Sequence, residues 1–331
     1  MLAQILSTDP DIEIAGMAKD GKEAVDAVAH LKPDLVTMDI HMPRMDGLEA
    51  IETIMAYNPT PILVVSSSVY GEGMGKAFDA LRHGALEVIK KPEPRDWADL
   101  ERIGKEVIRK VKVLSRVRVI THIGGRRPKS ATPQHGDEQV RPGRRSLVAI
   151  GSSTGGPSAL LAVLGRLTAD FPAPVVIAQH IAEGFIPGLV SWLDSGCGIN
   201  VREAVDGEDA RPGVAYLAPT GSNLAMDGLR MRFEAPTADQ LYVPCADTLF
   251  ESVARSMGRS AVGVILTGMG ADGARGLKAL HDVGALTIGQ DEATSIVYGM
   301  PRAAAEIGAV GTVLPVHDIA AELLRVAEAT G

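Results

Sequence analysis

The chain has 331 residues, 46% of them hydrophobic and 22% charged, with a formal net charge of −8 at pH 7; this is the composition of a soluble globular protein long enough for two domains that each bury a core. Aromatic residues make up 4% and glycine supplies 36 positions, which suits an α/β protein with many tight strand–helix turns. No apolar run reaches membrane-span length, the start MLAQILSTDPDIEI lacks a basic region and a cleavage site, and the two cysteines, Cys197 and Cys245, fit free thiols in a reducing cytoplasm, so no membrane insertion and no secretion is expected.

After a helical fragment at MLAQILS, strand-like runs DIEIAG, DLVTMD, PILVVS and EVIK alternate with the helical patterns GKEAVDAVAHL, DGLEAIETIMAY and GMGKAFDALRHG. That alternation predicts a parallel sheet with helices on both faces, whose chemistry sits beyond the carboxyl ends of the strands. Asp39, Ser66 and Lys91 fall at three such ends. Polar residues at strand ends are common and each has a dull explanation alone. A carboxylate, a hydroxyl and an ammonium side by side can accept and hold a phosphoryl group, the lysine offsetting its charge.

With Pro43, Gly47 and Pro92 in place, DLVTMDIHMPRMDGLEA, PILVVSSS and IKKPE resemble the response-regulator receiver domain, a flavodoxin-like fold, over residues 1–114. The resemblance implies that Asp39 is the phosphoacceptor, Ser66 the switch hydroxyl and Lys91 the phosphate-contacting lysine, with a chemotaxis histidine kinase as phosphodonor. It also implies Mg²⁺ for phosphorylation, held by Asp39 and the backbone carbonyl of His41. Receivers begin with a strand ending in an acidic pair that completes this metal site, and here the chain starts after that strand. The metal site is therefore expected to be incomplete, and the sheet to lack a member between DIEIAG and DLVTMD.

Residues 115–146 form the next segment. The formal charge is −5 over residues 1–114, +6 over 115–146 and −9 over 147–331. The basic stretch is rich in Gly, Pro and Ser and has no interleaved aromatics for base stacking, so a solvated linker is expected and a nucleic-acid arm is not.

From residue 147 the alternation resumes. SLVAIG runs into GSSTGGP, PVVIAQH ends at His180, and AVGVILTGMGADG ends just before Asp272. If these strands neighbour one another in a parallel sheet, a serine, an imidazole and a carboxylate converge on one crevice, as nucleophilic acyl transfer requires. Pro157 suits the start of a helix whose unfilled N–H groups favour negative charge. The order Ser…His…Asp and the lack of a G-x-S-x-G elbow argue against ordinary α/β-hydrolase descent. Ser-Ser-Thr at a helix start is often plain capping, and Asp272 between glycines can simply shape a turn. Nothing in the local pattern chooses between Ser152 and Ser153.

Two other function classes fit parts of the pattern. Gly268-Met269-Gly270-Ala271-Asp272-Gly273, with Asp291 after the next strand, has the spacing of a dinucleotide-binding turn. That reading puts a carboxylate where a pyrophosphate would sit and leaves GSSTGGP and Gln179-His180 unexplained. The other class is a non-catalytic phospho-relay adaptor whose second domain only binds a receptor.

VAIGSSTGGP, VVIAQH, GVAYLAPT, AVGVILTGMGADGARG and YGMPRAA resemble the catalytic domain of the chemotaxis protein-glutamate methylesterases over residues 147–331. The resemblance implies a second doubly wound α/β domain and hydrolysis of glutamate methyl esters on methyl-accepting chemoreceptors, with glutamine deamidation at the same positions. No cofactor is needed for that reaction. It makes Ser153 the nucleophile, His180 the base and Asp272 its orienting carboxylate, with Thr154 and Met269 beside them and their N–H groups as oxyanion donors. A cytoplasmic location follows from the substrate. The stretch LYVPCADTLF departs from relatives that carry basic residues before Pro-Ser-Val-Asp.

Overall fold

A computed structural model of the chain describes residues 1–66, 73–93, 97–119, 146–238 and 240–328. It divides into two compact units, Met1–Pro128 and Lys129–Gly331. Most of the expected linker over residues 115–146 lies outside the described residues.

The first unit runs α1 (Leu2–Leu6), α2 (Gly21–Leu31), β1 (Val36–Met38), α3 (Gly47–Tyr57), β2 (Ile62–Ser66), α4 (Gly73–Arg82), β3 (Glu87–Lys90) and α5 (Trp97–Leu114). Asp20 and Asp46 cap α2 and α3 by accepting the N–H groups of Glu23 and Glu49, and each glutamate adds negative charge to its helix's first turn. The sheet is parallel in the order β1-β2-β3. One sequence expectation fails here. DIEIAG forms no strand, and Ile14 and Met17 are 37% and 82% exposed. An extended segment becomes a strand only when a neighbour satisfies its N–H and C=O groups, and this one has no ladder partner among the described residues.

The second unit runs β4 (Leu147–Ser152), α6 (Gly156–Leu164), β5 (Val175–Gln179), α7 (Ile186–Gly196), β6 (Asn200–Glu203), β7 (Val214–Leu217), a hairpin of β8 (Asn223–Asp227) and β9 (Arg230–Glu234), α8 (Ala246–Met257), β10 (Ala261–Ile265), α9 (Ala274–Asp282), β11 (Leu286–Gln290), α10 (Met300–Glu306), β12 (Thr312–Leu314) and α11 (Val316–Glu328). Seven strands form a parallel sheet in the order β12-β11-β10-β4-β5-β7-β6. Every residue of β4, β5 and β10 is buried, as expected for strands covered by helices on both faces. From β4 the chain winds one way through β5, β6 and β7, then returns to β10 on β4's other side and winds away through β11 and β12. Strand order therefore reverses between β4 and β10, and ligands of doubly wound sheets bind at the carboxyl ends beside such a reversal.

Candidate active site

Three strand ends meet at that reversal. Ser152 pairs in register with Gln179, and Gly151 with Ile265, so the residues just past β4, β5 and β10 lie side by side. Ser153, His180 and Asp272, the three residues singled out in the sequence, belong to these ends.

The two serines differ in what holds them. Ser152 is fully buried, and its hydroxyl donates to Gln179 Oε1 at 2.6 Å. The Gln179 amide in turn donates through Nε2 to the carbonyls of Ser153 at 2.9 Å and His180 at 2.8 Å. One buried side chain thus ties the turn after β4 to the turn after β5. Gly156 lies so close that a Cβ there would overlap Gln179 Oε1. Ser152 is therefore a structural hydroxyl. Ser153 sits one residue farther out, its N–H donating to the Thr267 carbonyl at 3.0 Å. A Cβ on Gly268 would stand 2.8 Å from the Ser153 Cβ, so the glycine leaves room for the serine between the two strand ends.

His180 and Asp272 form a close pair, Nε2 to Oδ2 at 2.7 Å, with side chains 7% and 9% exposed. Nε2 donates to the carboxylate, which places the imidazole lone pair on Nδ1. That atom is buried without a hydrogen-bond partner. A buried acceptor left unpaired is costly and points to a function for it. The Thr154 hydroxyl is the other unpaired polar atom of this turn. Among the described residues neither the Thr154 nor the Met269 backbone N–H finds an acceptor. Two unengaged N–H groups, one from each side of the reversal, are what a developing oxyanion needs.

Asp272 accepts four hydrogen bonds. His180 Nε2 and the Ala246 N–H, at 2.7 Å each, reach Oδ2; the Cys245 thiol and the Asp247 N–H, at 3.1 Å each, reach Oδ1. Ala246 and Asp247 open α8, whose own N-cap residue, Cys245, makes no side-chain cap; the carboxylate arrives from the β10–α9 turn to cap it. Burial by itself raises the Asp272 carboxyl, but the His180 imidazole, the Ala246 N–H and the Cys245 thiol outweigh it and hold the group at about 2. Burial, reinforced by the negative charge of Asp272, pushes the Cys245 thiol to about 11, so it stays protonated as a donor. Face to face with the His180 ring lies Tyr242, centroids 4.4 Å apart and planes 6° from parallel.

The contacts at the start of α9 compete with a dinucleotide turn. A pyrophosphate needs the N–H groups at the mouth of α9, and Asp247 Oδ1 already accepts the Gly276 N–H there at 2.7 Å. Sequence reasoning missed the parts played by Gln179, Tyr242 and Cys245. Gln179-His180 was visible as a polar pair closing an apolar strand; the other two act across long chain separations and gave no local signal.

In the first unit, Lys91 Nζ stands 3.1 Å from Asp39 Oδ2, and the Lys91 N–H donates to the carbonyl of buried Ser66 at 2.9 Å. The three residues are thus brought together at the ends of the sheet. The His41 N–H turns back onto Asp39 Oδ1 at 3.2 Å. No group of three or more His, Cys, Asp or Glu side chains that could hold a metal ion occurs among the described residues. Mg²⁺ asks for near-octahedral oxygen ligation anchored on carboxylates, and the donors present do not fit it. No described helix is long and apolar enough to cross a membrane.

Comparison with known proteins places both parts of the chain in known families. Residues 148–323 match the CheB methylesterase family model, and residues 1–99 match the response regulator receiver domain model. A protein-glutamate methylesterase/protein-glutamine glutaminase of Anaeromyxobacter dehalogenans is 44% identical over 96% of this chain and 91% of its own length. One from Syntrophus aciditrophicus is 42% identical over 99% and 94%. The solved CheB methylesterase catalytic domain of Thermotoga maritima superposes with a TM-score of 0.51 at 36% identity, covering 55% of this chain and 98% of that one. The chain belongs to the CheB methylesterase family, with a response-regulator receiver domain preceding the esterase domain.

Proposed function

We propose that this methylesterase hydrolyses glutamate γ-methyl esters on the cytoplasmic helices of methyl-accepting chemoreceptors with Ser153, His180 and Asp272 as its triad, working in the cytoplasm. The observation that carries the assignment is the buried, unpartnered Nδ1 of an imidazole whose Nε2 is committed to Asp272. Ser153 Oγ attacks the ester carbonyl carbon while its proton passes to Nδ1. Asp272, already anionic, stabilises the resulting imidazolium. The carbonyl oxygen becomes an oxyanion facing the N–H groups of Thr154 and Met269. The C–O bond to the methoxy group then breaks, and the leaving oxygen takes the Nδ1 proton to depart as methanol. Water, deprotonated by the same nitrogen, attacks the acyl-serine and releases the glutamate carboxylate and the free serine. A glutamine amide follows the same path with ammonia as leaving group, which is the deamidase reaction. Neither reaction calls on a cofactor.

Control is assigned to the receiver, with Asp39 as the phosphoacceptor, a chemotaxis histidine kinase as donor, and Ser66 and Lys91 reading the phosphoryl group. Receivers use Mg²⁺ for this transfer; the donors described above fall short of a site for it. The domain division that goes with this reading is 1–114, 115–146 and 147–331. The deciding experiment is methanol release from a methylated receptor fragment, with Ser153→Ala as control. An adaptor without catalysis releases none, and a dinucleotide enzyme responds to added NAD.

A further inference from the structure

A hydrogen bond to Asp272 fixes one atom of the His180 ring but does not by itself define the ring plane. The lone pair on Nδ1 lies in the ring plane, so a tilt of the plane redirects it. Something must hold the plane. Tyr242 lies flat against it, with centroids 4.4 Å apart and 6° between planes.

The placement of Tyr242 is built, not incidental. Asn223, 2% exposed, reaches from β8 to both sides of it: Nδ2 donates to Gln240 Oε1 at 2.7 Å and Oδ1 accepts the Cys245 N–H at 2.9 Å. The segment between these anchors carries Tyr242, and its far end runs into the residues that hold Asp272. A single stretch of chain thus grips both members of the His–Asp pair.

We propose that Tyr242 is a positioning residue for His180, acting through the face of its ring. The inference rests on the triad reading above. Stacking holds the imidazole plane and with it the direction of the buried Nδ1 lone pair. When the serine proton arrives, the electron-rich face of the phenol ring also lies against an imidazolium, a favourable arrangement for a cation over an aromatic ring. Aromatic pairs of this geometry contribute about 0.5–1.5 kcal/mol beyond their burial. Converted at 1.36 kcal/mol per power of ten, that is up to about a tenfold effect on rate.

The test uses the full chain with Tyr242→Phe, Tyr242→Leu and Tyr242→Ala. Methanol release gives kcat and KM, and NMR of histidine-labelled protein gives the His180 ring proton signals, assigned by their loss in His180→Gln. Phe, which keeps the ring, is expected within about twofold of the parent in kcat, and Leu and Ala about tenfold lower. In Leu and Ala the His180 signals should shift downfield as the ring current disappears; in Phe they should stay. Leu retains bulk in the loop, so a fall shared by Leu and Ala but not Phe separates stacking from simple filling of space. Equal losses in Phe and Ala would assign the effect to the hydroxyl and overturn the proposal. So would shifted His180 signals with unchanged kcat, or unshifted signals in Ala. A parent chain that releases no methanol would refute the esterase reading and this role with it, while the NMR signals would still report whether the rings stack.

Discussion

Replacing Asp272 by asparagine is the most informative single change, because the carboxylate's four donors make its consequences countable. Each oxygen now accepts two hydrogen bonds, one pair from His180 and Ala246 and the other from Cys245 and Asp247. An amide offers one accepting oxygen and an NH₂ group that only donates. With its oxygen toward His180, the NH₂ opposes the Asp247 N–H, and only the Cys245 thiol can turn round to accept. With its oxygen toward Asp247, the NH₂ faces His180 Nε2. The imidazole must then accept there and carry its proton on Nδ1, the atom proposed to receive the serine proton.

Both orientations remove the negative charge opposite the imidazolium, and the second also inverts the tautomer. The expected loss in kcat is about 10³–10⁴, or about 4–5 kcal/mol at 1.36 kcal/mol per power of ten. KM should change little, because both carboxylate oxygens are engaged by the protein's own donors. Stability should fall separately by about 2–4 kcal/mol, through weakened charge-assisted bonds and an unpaired N–H at the start of α8. Methanol release measures the first effect and urea unfolding the second. A folded Asp272→Asn variant within tenfold of the parent in kcat would refute the triad assignment.

The serines should separate cleanly: Ser153→Ala should lose several powers of ten in methanol release, while Ser152→Ala should keep most activity and lose about 1–2 kcal/mol of stability by freeing Gln179 Oε1. Asp272, held at about 2 against an ordinary 3.8, binds a proton less readily folded than unfolded, so its stabilisation is complete above about pH 4 and is lost as pH falls through about 2. Urea midpoints between pH 5 and pH 2 should show this as about 2 kcal/mol, and Asp272→Asn should flatten that part of the curve. In the receiver, the donors around Asp39 among the described residues do not make a Mg²⁺ site, so small phosphodonors are expected to phosphorylate this 331-residue chain poorly and to alter its esterase rate little; strong Mg²⁺-dependent activation would overturn that.

What could be read from the sequence follows from what is local. Apolar strands alternating with helical patterns imply a parallel sheet, and in such a sheet the strand ends are where chemistry gathers. The serine pair Ser152-Ser153, His180 and Asp272 stand out for that reason, and only the family resemblance singles out Ser153. DIEIAG has the alternation of a strand, yet a strand is a pairing, and the pattern of one segment does not say whether a partner exists. The choice between the serines was hidden because Gln179, which claims Ser152, lies on a different strand. Tyr242 and Cys245 were hidden more deeply. Their roles depend on how the lead-in to α8 crosses the mouths of β5 and β10, and no periodicity encodes that crossing.

The start of α8 and the start of α9 are closed by each other's acids. Asp272, at the entry to α9, accepts the first N–H groups of α8, and Asp247, in the first turn of α8, accepts the Gly276 N–H of α9. Negative charge is favourable at either helix mouth, but two neighbouring buried carboxylates disfavour each other's ionisation. The donors decide between them. Burial and the nearby Asp272 charge raise Asp247, against the Gly276 N–H and Arg275, which lower it. Asp272 collects the imidazole, a thiol and two backbone N–H groups, and falls to about 2. The negative charge is therefore fixed on Asp272 by the hydrogen bonds that end the helices. A substitution that frays the first turn of α8 removes donors from Asp272, and through Nε2 it loosens His180, the proposed base. Fold and catalysis share these bonds, so changes at Cys245, Ala246 or Asp247 should move stability and kcat together, whereas changes at Ser153 should move kcat alone.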